Sequence, residues 1–332
     1  MSGDPPEVGA AGAVLRRSAF NGAWAAALAA ALALALALAL PSAMAQTAYK
    51  YRDANGQWVF TDQAPASAGS GDSFNIRHEN STLHISVDRV DDAESTQLIA
   101  INDCLCVITI QASIIHSGFA AIADGTAYRA TLEPGTRQTL VRVPRSETEK
   151  PELRYAWGVA LGSPQAVHSP PSPYRVPFGV GSTYLVSQAF PSRITHVTPD
   201  SQYAVDIALP DGTPVYSARE GTVINARHDF FRGAVAPVML DQANVIEILH
   251  DDGTIALYAH LHWDSIRVRI GQHVVRGQYI ANSGNTGFTS GPHLHFAVIK
   301  NAGAANVSIP IQFAGIAGVP ATPVNQMPLT AY

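Results

Sequence analysis

Cysteine is almost missing: two occur in 332 residues. A disulfide framework is thereby excluded, and the core has to come from ordinary apolar burial. Charge is sparse, at 14% of residues, which excludes a coiled coil. The net charge of −5 leaves no strongly basic face, so nucleic acid is not expected as a partner. What the chain has instead is 47% hydrophobic residues, too many for a disordered polymer. Its 26 glycines and 22 prolines are spread along the whole length, which favours many short strands and turns over long helices. The length suits two to three domains of about 100–150 residues each.

The longest apolar run lies near the start. Arg16 and Arg17 precede an uncharged stretch from Ser18 to Leu40, nearly pure Ala and Leu from Ala23. Pro41, Ser42, Ala43, Met44 and Ala45 follow, with small residues at 43 and 45 as in an A-x-A cleavage site. Residues 1–45 are therefore expected to be a signal peptide, and no stable membrane span is expected after its removal. The leader carries Arg16, Arg17, Asp4 and Glu7, so the net charge of the mature chain stays at −5. No cysteine stands near the cleavage site to take a lipid. Export to the periplasm is expected, with secretion as the alternative.

Residues 46–80 open with Tyr49-Lys50-Tyr51 and Trp58-Val59-Phe60-Thr61-Asp62 around Asn55-Gly56, a strong hairpin signal. The pattern looks like a small β-hairpin module found near the start of many exported bacterial proteins. Residues 64–73, rich in Ala, Pro, Ser and Gly, read as a linker. Residues 81–175 alternate apolar and polar in short runs, such as Thr82 to Val87 and Gln138 to Val143, which predicts a β-sandwich domain. Ser169-Pro170-Pro171-Ser172-Pro173 closes it as a stiff linker. Cys104 and Cys106 fall inside this region. On an intact strand, positions i and i+2 lie about 6.5–7 Å apart, too far for a disulfide, whereas a bulge or turn would permit one. Two thiols would also touch a metal, but no other cysteine is present. The simplest expectation is a structural role.

From Tyr174 the texture changes. Eight of the twelve histidines lie between His196 and His295. Gly291-Pro292-His293-Leu294-His295-Phe296 reads as the start of a strand, which puts both imidazoles of the H-x-H on one face. At that spacing one histidine can bind a metal while the other serves its water. The run SGNTGFTSGPHLHF, together with GTPVYSAREGTV and YAHL in that order, resembles the LytM/lysostaphin-type zinc metalloendopeptidases, which cut peptides of bacterial peptidoglycan. The resemblance covers about residues 176–315. It implies a mainly β protein whose last domain, 176–332, is a LytM-like antiparallel β-sheet peptidase domain binding one Zn²⁺ per chain.

The resemblance makes Asp206 and His295 zinc ligands, His293 the base or hydrogen-bond partner of the water, and His260 a second catalytic histidine that steadies the oxyanion. One ligand departs from the family pattern H-x-x-x-D, because position 202 is Gln, a poor zinc ligand. His196 is expected to replace it if residues 197–205 loop back, for which Pro199 and Ser201 supply a turn. Asn282, Asn285 and Thr286 either orient a substrate peptide or cap neighbouring turns. His262, His228 and His273 read as surface residues and His250 as a hairpin-turn residue. The implied function is peptidoglycan endopeptidase. The alternative is a non-catalytic LytM-like regulator that activates a cell-wall amidase, and a complete ligand set separates the two.

Overall fold

The computed structural model describes residues 47–52, 58–61, 72–75, 84–144, 152–192 and 194–332. The expected signal peptide, residues 1–45, lies outside them. The chain divides into two compact units, Ala23–Ser81 and a larger one holding Thr82–Tyr332.

In the smaller unit, β1 (Thr47–Arg52) pairs antiparallel with β2 (Trp58–Thr61), with Arg52 opposite Trp58. That is the expected antiparallel pairing, and Asn55-Gly56 lies outside the described residues. A third strand, β3 (Asp72–Asn75), pairs with the other edge of β1. Asp72 and Ser73 therefore belong to a strand, where the sequence reads as linker. Pairing to β1 supplies backbone bonds that composition does not reveal.

The larger unit begins with six strands: β4 (Ile85–Asp91), β5 (Ser95–Asn102), β6 (Ile108–Ser117), β7 (Ala127–Leu132), β8 (Thr136–Pro144) and β9 (Leu153–Leu161). They form two three-stranded antiparallel sheets, ordered β4-β5-β8 and β7-β6-β9. In β6 the residues Ile108, Ile110, Ala112 and Ile114 are all buried, because alternate side chains of a strand share a face.

A nine-stranded antiparallel sheet follows. Its strands are β10 (Thr183–Gln188), β11 (Val205–Ile207), β13 (Gly221–Arg227), β14 (Val245–Leu249), β15 (Ile255–Ala259), β16 (His273–Val274), β18 (Leu294–Asn301), β19 (Asn306–Ser308) and β22 (Pro328–Thr330). The order is β16-β13-β14-β15-β18-β11-β10-β22, with β19 beside the far half of β18. Two small pairs complete it: β12 (Pro214–Tyr216) with β17 (Tyr279–Asn282), and β20 (Phe313–Ala314) with β21 (Pro320–Ala321).

Each face of this sheet buries a separate core. Leu294, Phe296 and Val298 of β18 point into one, with Val215, Tyr258 and Ile280. Ala297 and Ile299 point into the other, where Leu257 and Val245 meet Ile108, Leu132 and Leu161 of the sandwich. Buried hydrogen bonds pin the joint. Asn301 Nδ2 donates to Thr109 Oγ1 at 2.9 Å and to the Gly162 carbonyl at 2.7 Å. Asn306 pairs with both backbone groups of Leu161. The sandwich is thus fused to the sheet through a shared core.

The proline-rich segment 169–173 is correspondingly no free linker. Ser169 N–H donates to Asp252 Oδ2 at 2.9 Å, and Tyr174, fully buried, exchanges backbone bonds with Gln312 and Ala314. Asp252 also binds Arg219 at 2.6 Å.

His250 sits at the β14–β15 turn, as its sequence suggests, but it is buried rather than solvated. Its Nδ1 meets the Glu220 carbonyl at 2.7 Å, while burial pushes its pKa down to about 4. The unfolded chain takes up a proton near 6.5 that the folded chain refuses until about 4. Stability is therefore full above pH 6.5 and falls by about 3 kcal/mol as pH drops to 4. Urea midpoints at pH 7 and pH 4.5 check this. The His250→Gln chain should lose less over that interval, and an equal loss would contradict the assignment.

Candidate metal and catalytic site

Asp206 on β11 lies directly across from His295 on β18, and His295 is across from Ala259 of β15. Because alternate residues face opposite ways, His295 emerges on the same sheet face as Ala297 and Ile299. The sandwich covers the far end of that face, and the site occupies the near end.

His295 Nδ1 meets Asp206 Oδ1 at 2.8 Å. His196 Nε2 comes within 3.1 Å of Asp206 Oδ2, and His196 is only 2% exposed. The loop between them is built to return. Ser201 and Gln202 N–H both donate to the Thr198 carbonyl, and the Thr198 and Ser201 hydroxyls meet at 2.7 Å. Ser308 then anchors the turn through the Pro199 carbonyl and Tyr203 N–H. On the other side, Gln188 of β10 grips Thr195 through both its backbone and its hydroxyl. Gln188 had no marker in the sequence. Its role follows from its register opposite Asp206.

The ligand atoms of His196, Asp206 and His295 lie within 4.8 Å of one another, and all three residues are buried. A tetrahedral zinc with bonds of about 2.0–2.1 Å has ligand–ligand edges of about 3.3–3.4 Å, somewhat wider than the 3.1 Å and 2.8 Å from Asp206 to His196 and His295. His196 Nε2 makes no hydrogen bond among the described residues despite its burial, so its lone pair is available to a cation. Burial alone would raise the Asp206 pKa, but the His196 and His295 imidazoles outweigh it and hold the carboxyl well below the usual carboxylate range. The set of two imidazoles and one carboxylate fits zinc.

His260 and His293 stand beside this set. Their ring centroids are 4.5 Å apart, and His293 Nε2 is 3.9 Å from Asp206 Oδ1. His260 Nδ1 lies 2.6 Å from the Thr286 carbonyl, and His293 Nδ1 lies 2.9 Å from the Gly291 carbonyl. A carbonyl only accepts, so each Nδ1 carries the hydrogen and each neutral ring keeps a bare Nε2. Burial, then the neighbouring His293 and His295, push the His260 pKa down to about 3. His260 therefore lacks the Nε2 hydrogen that an oxyanion donor needs, and it donates from that atom only after taking up a proton.

Backbone geometry explains how His260 is aimed. Its φ is +62°, unusual for a residue with a side chain. Thr286 braces it: the hydroxyl donates to the Leu261 carbonyl at 2.9 Å and accepts from Asn244 N–H at 3.1 Å. Thr286 thus serves the backbone. Asn285 and Asn282 each accept from a neighbouring hydroxyl, of Thr289 and Tyr279. Asn244 is a residue the sequence did not flag. It ties Phe230 to Leu261 through its side chain.

The adjacent Gly287 has φ +82°, and a Cβ there would lie 2.7 Å from Ala243. Gly287→Ala is expected to cost about 2–3 kcal/mol and to lower the thermal midpoint. His262, three residues beyond the end of β15, has a side chain over a third exposed, with its Nδ1 on the Trp263 carbonyl.

The sequence model of Peptidase family M23 matches residues 200–307. The chain carries an M23 peptidase domain. The matched span holds Asp206, His260, His293 and His295 but begins after His196. Residues 34–77 match a domain of unknown function, DUF4124.

Among curated relatives, peptidoglycan DD-endopeptidase ShyA of Vibrio cholerae is 35% identical over 134 residues, which are 39% of this chain and 28% of ShyA. ShyB of the same organism is 42% identical over 94 residues, 28% of this chain and 19% of ShyB. Lysostaphin of Staphylococcus simulans is 31% identical over 100 residues, 30% of this chain and 18% of lysostaphin. The chain thus spans under a third of the length of the relatives it matches. The solved catalytic domain of the antimicrobial peptidase lysostaphin is 26% identical, covering 36% of this chain and 79% of that one, with a TM-score of 0.26. A zinc-containing peptidase from Vibrio cholerae is 18% identical, covering 79% and 76%, with a TM-score of 0.28. No helix among the described residues is long and apolar enough to cross a membrane.

Proposed function

We propose that the M23 domain makes this chain an exported zinc endopeptidase that hydrolyses peptide stems or cross-links of bacterial peptidoglycan. The observation that carries this reading is the buried His196–Asp206–His295 set lying beside two histidines with bare Nε2 atoms. The relatives named as peptidoglycan endopeptidases support the substrate class. The apolar leader supports export, to the periplasm in this reading.

His196 Nε2, Asp206 and His295 Nδ1 would hold the ion. Bound there, zinc supplies a Lewis acid that polarises a carbonyl and lowers the pKa of water. His293 Nε2, as the more exposed of the two bare nitrogens, accepts a proton from the attacking water. The carbon–oxygen bond forms as the water's oxygen adds to the scissile amide carbon. His293, now protonated, gives that proton to the departing amine nitrogen as the carbon–nitrogen bond breaks. His260, held by the Thr286 carbonyl at Nδ1, either shares the proton with the neighbouring His293, whose ring is tilted against it, or donates to the oxyanion once protonated. The fused sandwich closes one end of the sheet face, so a substrate strand reaches the site from the uncovered end.

The test combines elemental mass spectrometry with digestion of purified peptidoglycan sacculi followed by chromatography of the released muropeptides. About one zinc per chain and loss of cross-linked muropeptides are expected. Near-zero zinc after reconstitution with excess metal, with no digestion, would remove the enzyme reading in favour of a regulator of an amidase.

A further inference from the structure

The two cysteines do not lie on a strand. β5 ends at Asn102 and β6 begins at Ile108, and Cys104 to Cys106 form a bend between them. The bend brings the two Sγ atoms to 3.3 Å, inside the contact distance of two sulfurs. Both residues are buried, at 4% and 1% exposure.

Asn102 holds the bend in this shape. Its Oδ1 accepts from Cys104 N–H at 3.1 Å and from the Cys104 thiol at 2.8 Å. Its Nδ2 donates to the Cys106 carbonyl at 2.9 Å and to the Leu132 carbonyl at 3.1 Å. Leu105, between the two cysteines, is half-exposed and lies against the turn at Gly271 of the M23 domain. The bend therefore sits at the joint of sandwich and sheet, and both thiols belong to the core the two share. A metal is not a competing explanation among the described residues, because their one cluster of potential metal ligands is the His196 set.

We propose that Cys104 and Cys106 are a modification site: they close into a Cys-x-Cys disulfide that fixes this bend at the joint. The oxidant is a disulfide-bearing molecule, a small disulfide or a disulfide oxidoreductase. One cysteine thiolate attacks the oxidant's sulfur and expels one thiol, giving a mixed disulfide. The other cysteine then attacks the first, forming the Sγ–Sγ bond and expelling the second thiol. Two cysteine thiols are oxidised, one external disulfide is reduced, and the two protons leave with the two thiols. Burial requires that this happens before the shared core closes, during folding. The disulfide is separate from the proposed catalysis and stands or falls independently of it.

The test uses the whole chain, denatured and reduced, then refolded in glutathione buffer poised at about −180 to −210 mV, a value typical of oxidising compartments. The refolded chain is unfolded again in denaturant at about pH 8, where the thiols ionise, in the presence of excess iodoacetamide and without reductant, and measured by peptide mass spectrometry. The expected peptide spanning 104–106 carries no alkyl group, is lighter than the dithiol by two hydrogens, and takes two alkyl groups after reduction. Two alkyl groups without reduction, or a glutathione adduct on either cysteine, would overturn the proposal. The same analysis on chain isolated from a bacterial periplasm keeps the result decisive if refolding yields are low. Dithiol in that sample would equally overturn it.

Discussion

Asp206→Ala is expected to take bound zinc from about one per chain to near zero and peptidoglycan digestion below detection. Asp206 is the only carboxylate in the set and sits between both imidazoles, 3.1 Å from His196 Nε2 and 2.8 Å from His295 Nδ1. Three protein ligands are the usual complement of a catalytic zinc, and two neutral imidazoles bind it far more weakly. The carboxyl is held ionised by those same imidazoles despite its burial. Removing it also leaves the buried His295 Nδ1 without its acceptor, so the metal-free variant should be less stable than the metal-free parent. Elemental mass spectrometry and a thermal melt read both effects. Full zinc with undiminished digestion would mean that Asp206 is not a ligand.

His293→Ala is expected to behave differently: zinc retained, kcat lowered about 10²–10⁴-fold. The range is that of a lost general acid–base group. His293 Nε2 is 3.9 Å from Asp206 Oδ1, next to the ligand set but outside it. Its ring is fixed from behind by the Gly291 carbonyl and the Thr289 hydroxyl, so truncation leaves the ligands in place. A variant that lost its zinc would move His293 from the proton-transfer role into the metal shell. A variant with undiminished turnover would leave His260 as the base.

Much of the M23 domain is legible in the chain itself. The H-x-H at 293–295 places two imidazoles on one strand face because side chains alternate at a period of two. The Tyr-Ala-Val-Asp at 203–206 and the Tyr-Ala-His at 258–260 mark the neighbouring strands in the same order as the family. The N-terminal strand pair is equally plain, since aromatic alternation on either side of Asn-Gly marks both strands.

Other features have no local signature. Position 202 is Gln, and nothing in sequence spacing tells whether His196 can reach Asp206. That depends on the Thr198–Ser201 turn and its anchor at Ser308, 109 residues beyond Pro199. The proton positions of His260 and His293 depend on carbonyls that the fold delivers. So does the setting of His250, whose turn is readable but whose burial comes from packing at Glu220. The Cys104–Cys106 pair looks like strand and is a bend, because Asn102 bonds to both ends of it.

The sequence by itself determined the strand-rich class and the histidine and aspartate residues offered to the candidate site. Residue type and short-range periodicity are sufficient for each of these. The tertiary structure alone decided that His196 joins Asp206 and His295, and that the sandwich shares a core with the sheet face carrying the site. Both depend on contacts between residues far apart in the chain, and such contacts are specified by the packing of whole faces rather than by any local run.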